Sequence, residues 1–224
     1  MKKMKLLCSA LIKVTLGIVL VGVMVFLPAG TLTYGKGWLF MGLLFIPMLI
    51  AGFVMLFKSP DLLARRLDAK EKQADQKGVV AVSGLMFIAG FVVAGLDHRF
   101  GWSKMPVAVT VVASVLFLAA YILYAEVLRE NAYLSRTVKV EEGQTVISTG
   151  LYGIVRHPMY MATVLLFLMM PLVLGSWYAL IVFLIYPVLI IIRLTGEEKL
   201  LLKELPGYAQ YREKVKYRLI PFVW

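Results

Sequence analysis

The sequence predicts an all-α, polytopic integral membrane protein of about six transmembrane helices, with a C-terminal helical hairpin and interfacial helices. Three observations predict it. Of the 224 residues, 61% are hydrophobic, and the mean hydropathy is +0.84, more apolar surface than a soluble domain can hide. Six apolar runs, roughly residues 11–28, 38–57, 79–96, 105–128, 159–174 and 177–192, can each span. The basic residues gather in alternate connections between those runs.

The first run follows Lys2, Lys3 and Lys5, as in a signal peptide. It ends in Pro28, Ala29 and Gly30 with no convincing small-residue cleavage site, so an uncleaved first span is expected. The first four runs approach or exceed the roughly 20 residues that cross the hydrocarbon. The last two hold about 16 each, and must thin the bilayer, extend into their flanks, or form a hairpin that stops short of the far surface. Pro171 and Pro187 lie inside them and should kink or end helices.

Charge sets the orientation. The net charge is +11. The N-terminus, residues 58–77, residues 129–156 and the tail from Arg193 hold 20 of the 24 Lys and Arg. Lys13 sits near the first boundary, and only Lys36, Arg99 and Lys104 fall in the other connections. The positive-inside rule then makes both termini cytoplasmic. Basic residues placed this way indicate topology and contact with anionic lipid rather than nucleic acid. A single cysteine, Cys8, excludes an internal disulfide and a cysteine-based metal cluster, and His98 and His157 are too few for a His-rich metal site. No metal is expected.

Between the spans, Ser59, Pro60 and Asp61 have helix-start chemistry. An interfacial helix over 59–67 follows, with Ser59 as N-cap, Leu62, Leu63 and Leu67 near one face, and Arg65 and Arg66 reaching headgroups. Asp97, His98, Arg99 and Trp102 read as a structured turn in which Asp97 and Arg99 can pair; His98 is given no catalytic role. Residues 138–147 alternate apolar and polar in part, with Glu141, Glu142 and Gly143 as a turn. The tail reads as two surface helices, 197–205 and 208–215, split by Pro206 and Gly207. Its Tyr208, Tyr211, Tyr217 and Trp224 interleave with basic residues, as in a tail lying on headgroups. The oligomeric state is not readable.

The chemistry-bearing residues come in two clusters. Arg156, His157 and Pro158 stand at the mouth of the fifth run, where a helix N-terminus attracts anions. Arg193, Glu197 and Glu198 follow the sixth. A hairpin returns both clusters to one side, and ionisable groups near membrane depth usually mark a site or a pair. A pocket of both signs can clamp a zwitterion, with Arg193 and Arg156 as the cations for a carboxylate. A salt-bridge network is the structural alternative.

Gly150, Tyr152, Arg156, His157, Pro158 and Tyr160, then Arg193, Glu197 and Glu198, then Gly207, Tyr208, Tyr211, Arg218 and Pro221 resemble the isoprenylcysteine carboxyl methyltransferase family, most closely its bacterial members. Asn131, Tyr133, Ser135, Gly143, Gln144, Thr149 and Gly150 fit that bacterial pattern, as do Pro60, Arg65 and Arg66. The resemblance implies a membrane methyltransferase that uses S-adenosyl-L-methionine without a Rossmann domain, and no Gly-rich nucleotide loop occurs. It divides the chain into a four-helix N-terminal transmembrane region, 1–128, and a C-terminal methyltransferase region, 129–224. It implies cofactor binding by Gln144, Thr145, Val146, Ile147, Tyr152, His157, Pro158, Met159, Tyr160 and Glu197. It makes Arg193 the catalytic and substrate-binding residue, facing an acceptor carboxylate. The family often has His where Gln144 stands and Gln near Glu141, so Glu141 is left out of that set.

The implied partners are membrane lipids and a lipophilic or lipidated acceptor, and the implied location is a bacterial inner membrane with the site cytoplasmic. Phospholipid-amine N-methylation is the near rival, with Glu198 or Tyr160 as base. A sterol-reductase-like NADPH-dependent enzyme shares the His-Pro and Tyr-rich ending, but the double Glu after Arg193 favours methyl transfer. A non-catalytic scaffold is the third class.

Overall fold

The computed structural model describes residues 2–68, 74–135, 137, 138, 140 and 143–224. Among these the protein is helical. The order is α1 (Lys2–Ala29), α2 (Gly35–Lys58), α3 (Pro60–Leu67), α4 (Ala74–Phe100), α5 (Val107–Glu130), a 3-10 turn (Gly150–Gly153), α6 (Pro158–Leu174), α7 (Trp177–Phe183), α8 (Ile185–Glu204) and α9 (Tyr208–Lys214). Glu141 and Glu142, expected in a turn, lie outside the described residues.

Five helices are long and apolar enough to cross a membrane by length and composition, counting Trp177–Glu204 as one; α6 is shorter, at 17 residues. Their outer faces carry Leu16, Val23, Ile46, Phe53, Val115 and Ile122, all exposed. The inner faces meet in an aromatic core that includes Phe40, Phe91, Phe117 and Phe183, each at most 3% exposed. A bundle with apolar side chains both inside and out has lipid as its solvent, so this is a polytopic membrane protein.

The turn between the last two runs lies beside the connections α1–α2 and α4–α5. There, Tyr34 Oη donates to Leu174 O at 2.5 Å, and Trp177 N donates to Ser103 Oγ at 3.0 Å. Gly175 makes the turn between α6 and α7 at φ +80°, a left-handed conformation that glycine takes without a Cβ penalty. Ser176 caps α7 by accepting from Ala179 N. Asp97, only 2% exposed, fastens this turn: it accepts from Ser176 Oγ, and from Ser103 N and Oγ at 2.6 Å each. The expected Asp97–Arg99 pair is replaced by this arrangement, because two hydroxyls and an amide satisfy the buried carboxylate. Arg99 instead lies over the Phe100 ring, 5.6 Å from its centroid.

Pro187 breaks the last span where its chemistry requires. It has no N–H for the carbonyl of Phe183, and the helix is interrupted at Leu184. Pro171 sits in the last turn of α6, which runs on to Leu174. The larger departure is past Ile192. The surface helix expected over 197–205 is not separate: α8 continues from the apolar run to Glu204. Good helix formers, Glu, Lys and Leu, follow Gly196 without a break.

Helix α3 forms where the residues around Ser59 predict, with Leu62 and Leu63 buried. Ser59 occupies the N-cap position but makes no side-chain cap bond. The two arginines turn inward rather than to headgroups. Arg65 Nη1 donates to Ala132 O at 2.5 Å, and Arg66 Nη1 to Ser135 O at 3.1 Å, with the Arg66 guanidinium 5.4 Å from the Tyr124 ring centroid. Helix α3 thereby ties down the segment after α5.

Helices α1 and α4 pack closely enough that a methyl group at Gly95 would stand 2.5 Å from Val25 O and 3.0 Å from Ala29 N. Backbone cannot rotate away as a side chain can. Gly95→Ala should therefore lower stability by about 1–3 kcal/mol, read as a lower melting temperature in detergent. Gly84→Ala, with no atom within 4 Å of the added carbon, should be neutral or slightly stabilising.

Candidate active site

At the end opposite the Gly175 turn, α6 begins, α8 ends, and the tail folds back between them. Val155 pairs with Tyr217 in a parallel bridge. Arg156 N donates to Tyr217 O and His157 N to Arg218 O, both at 2.9 Å. Backbone bonds thus hold the tail against the mouth of α6.

Side chains complete the joint. Glu198 is 4% exposed. Its Oε1 accepts from Arg156 Nε at 2.6 Å and lies 3.3 Å from His157 Nε2, while Oε2 lies 3.3 Å from Arg218 Nε. Arg156 Nη1 also donates to Val215 O at 2.8 Å and Lys216 O at 2.9 Å. Arg218 in turn lies over Trp224, 5.2 Å from the ring centroid. One carboxylate therefore gathers three potential cations from two segments distant in sequence.

Glu197, one residue earlier, faces elsewhere. It accepts from Tyr160 Oη at 2.5 Å, and Tyr160 Oη accepts from Arg193 Nε at 3.1 Å. Arg193 Nη1 reaches Gln76 Oε1 of α4 at 3.5 Å. His157 and Tyr160 stack with centroids 5.7 Å apart.

A cavity opens beside this chain of groups. Its wall includes Gln144, Thr145, Val146, Ile147 and Tyr152 from the connection before α6. It includes Arg156, His157, Pro158, Met159 and Tyr160 at the mouth of α6, and Arg193 and Glu197 from α8. Arg156, Arg193 and every residue that the resemblance assigns to the cofactor therefore lie on one cavity. Arg156 contributes to the wall but spends its Nε and Nη1 on Glu198 and the tail backbone, so its geometry is that of a joint rather than of a ligand clamp. Glu198 is absent from the wall.

The same cavity is lined by residues read otherwise from the sequence. Asn131, Tyr133 and Ser135 belong to the motif but were not expected at the site. Leu201 and Leu205, expected in a surface helix, and Tyr208 and Tyr211, expected on headgroups, line it as well. Tyr208 and Tyr211 are 4% and 6% exposed, so that part of the tail is a wall of the cavity, not a surface float. Their spacing in the motif beside Gly207 was the available signal. Gln76, 4% exposed, carried none: it contacts Arg193 only because the fold brings α4 beside α8.

Local bonds fix the wall. Asn131 Nδ2 donates to Tyr152 Oη at 2.9 Å, and Tyr211 Oη donates to Tyr152 O at 2.7 Å. Burial pushes the Tyr152 phenol up to about 12, the Asn131 bond opposing it in part. Burial also raises Tyr208 and Tyr211 well above the usual phenol range. All three stay neutral at physiological pH.

The fold and site define a helical membrane protein with one mixed-charge cavity where a helical hairpin meets its own tail. Residues 109–203 match the model of the isoprenylcysteine carboxyl methyltransferase (ICMT) family. The matched stretch is less than half of the chain, and the match supports reading the protein as a membrane methyltransferase. No curated protein matches the chain.

Glu198→Gln removes the only carboxylate bonded to buried Arg156 among the described residues. Breaking such a pair from one side costs about 3–5 kcal/mol. The variant should melt at a much lower temperature or lose cooperative unfolding. An unchanged melt would mean that the joint contributes little.

Proposed function

We propose that this protein moves a methyl group from S-adenosyl-L-methionine to a lipophilic acceptor, most favourably a carboxylate, on the cytoplasmic side of the membrane. The observation that carries the proposal is the Arg193–Tyr160–Glu197 chain along one wall of the cavity. It sets a cation and a carboxylate on one helix face, four residues apart.

The residues present fit the donor. It carries an ammonium, a carboxylate, a sulfonium and a nucleoside. The cavity offers Glu197 for the ammonium, the polar groups of Gln144, Thr145 and Asn131, and an apolar stretch around Val146 and Leu201. The Tyr208 hydroxyl is buried with no hydrogen-bond partner among the described residues, as expected of a group that bonds a ligand. S-adenosyl-L-methionine supplies, when bound, a methyl group activated for in-line displacement.

The chain's residues then bind and orient. Tyr160 holds Glu197 in place on the donor side. His157, stacked on Tyr160 and held by Glu198, shapes the mouth of α6. Arg193 offers its guanidinium to the acceptor, whose carboxylate a planar fork recognises in two bonds. A carboxylate is already ionised near pH 7, so no residue need remove a proton. An amine acceptor would need a base. Glu198, enclosed by Arg156, His157 and Arg218, does not line the cavity, which leaves the Tyr160–Glu197 pair as the alternative for N-methylation. The basic residues of the end carrying the site support a cytoplasmic location.

Two sets of variants test the reading. Tyr160→Phe and Glu197→Gln should each weaken S-adenosylmethionine binding, on the order of ten- to a hundred-fold for a charge-assisted bond, measured by titration calorimetry. Wild-type affinity in both folded variants would place the donor elsewhere. Arg193→Ala should keep most of its donor affinity and lose turnover, once an acceptor is found by incubating lipid extracts with labelled donor. Arg193→Lys should restore little, because an ammonium lacks the planar fork. With a carboxylate acceptor, turnover limited by chemistry should be nearly flat from about pH 6 to 8; a rise with pH would indicate an amine.

A further inference from the structure

Building on the donor reading above, we infer that Tyr208 hydrogen-bonds the nucleoside half of S-adenosylmethionine, which sits on an apolar collar formed by α9 and the end of α8. Tyr208 lies beyond the residues matched to the family.

The hydroxyl itself is the first argument. Tyr208 is 4% exposed, and its Oη has no hydrogen-bond partner among the described residues. Its neighbour on the same short helix, Tyr211, is paired with Tyr152 O, so the tail does satisfy a tyrosine when it can. Phenylalanine would fill the same space without an unpaired hydroxyl. A buried polar group without a partner destabilises a fold, and the residue that carries it lines the cavity. A ligand atom in that cavity is the partner the chain itself does not supply.

The polarity of the wall says which part of the ligand. Arg193, Glu197 and Leu201 succeed one another at four-residue steps along α8, about 6 Å each, and Leu205 follows just past its end. All four line the cavity, so its wall passes from charged to apolar along the helix. At the apolar end, Leu205, Tyr208 and Tyr211 pack together with Val146 and Leu201. The Tyr208 and Tyr211 rings lie 5.7 Å apart. A ligand with a charged amino-acid end and a flat purine has one matching orientation: charges toward Glu197, nucleoside on the collar. A purine and its ribose both present atoms that a phenol can bond, and the surrounding rings suit stacking.

The test uses the full-length protein in detergent with two probes, S-adenosylhomocysteine and 5′-methylthioadenosine. The second keeps the nucleoside and lacks the amino acid. Tyr208→Phe should weaken both by about three- to tenfold, the range for a neutral hydrogen bond. Glu197→Gln should weaken S-adenosylhomocysteine and leave methylthioadenosine nearly unchanged. The ligand-free melting temperature of Tyr208→Phe should equal or exceed that of wild type, because an unpaired hydroxyl is gone, while its ligand-induced rise shrinks. Methylthioadenosine bound by Tyr208→Phe as tightly as by wild type overturns the inference, as does a lower ligand-free melt with unchanged affinity. Wild-type protein that binds neither probe overturns the donor reading, and the inference falls with it.

Discussion

The buried pairing of Arg156 with Glu198 is the constraint on which the site depends. Both side chains are almost fully enclosed, 4% and 6% exposed, at 2.6 Å. Taking two charges out of water is unfavourable unless the remaining donors and acceptors are met. Here they are met from three sides. Arg156 also binds the carbonyls of Val215 and Lys216, and Glu198 also holds His157 and Arg218. The pair therefore does more than neutralise itself. It fixes the start of α6, the end of α8 and the returning tail relative to one another, and the cavity is the space those three leave.

Adjacent glutamates take different parts because of helix geometry. Residues 197 and 198 are about 100° apart around α8. Glu198 turns toward the joint, and Glu197 turns with Arg193 toward the cavity. This works only because α8 stays helical past the apolar boundary. Had it ended at Ile192, as composition suggested, Arg193 and Glu197 would share no fixed face. The interruption at Leu184 keeps the proline's effect away from this segment, so the polar half of α8 is regular.

Local signals were legible in the sequence. Pro60 and Pro158 at first-turn positions, and long apolar stretches, mark helix starts and spans through rules that act within a few residues. That residues 156–158 and the polar end of α8 would meet was legible too, because two clusters on either side of a hairpin must return to one end. What could not be read was partnership. Arg156 and Arg193 carry the same charge on the same side of the membrane, and only the fold decides that one braces the tail while the other borders the cavity. Tyr208 and Tyr211 alternate with basic residues just as a surface tail would, and their burial depends on contact with Val146 some sixty positions away. Arg65 and Arg66 show the same limit: an amphipathic helix announces itself, but not which backbone carbonyls its arginines will meet.

The boundary of the family match adds one more step. The match runs from 109 to 203 and so contains Arg193, Tyr160 and Glu197. Gln76, which contacts the Arg193 guanidinium through Oε1 and lies 3.5 Å from the Arg193 carbonyl through Nε2, lies outside it. In the proposed reading Arg193 anchors the acceptor, so its orientation is shared between the matched stretch and a helix the match does not cover. A guanidinium delivers two parallel bonds only when its plane is set, and a buried amide from α4 bears on that plane. The donor side of the cavity, by contrast, is built from the mouth of α6, α8 and the tail. Chemistry common to the family and recognition particular to this chain can then rest on different helices while meeting at one arginine.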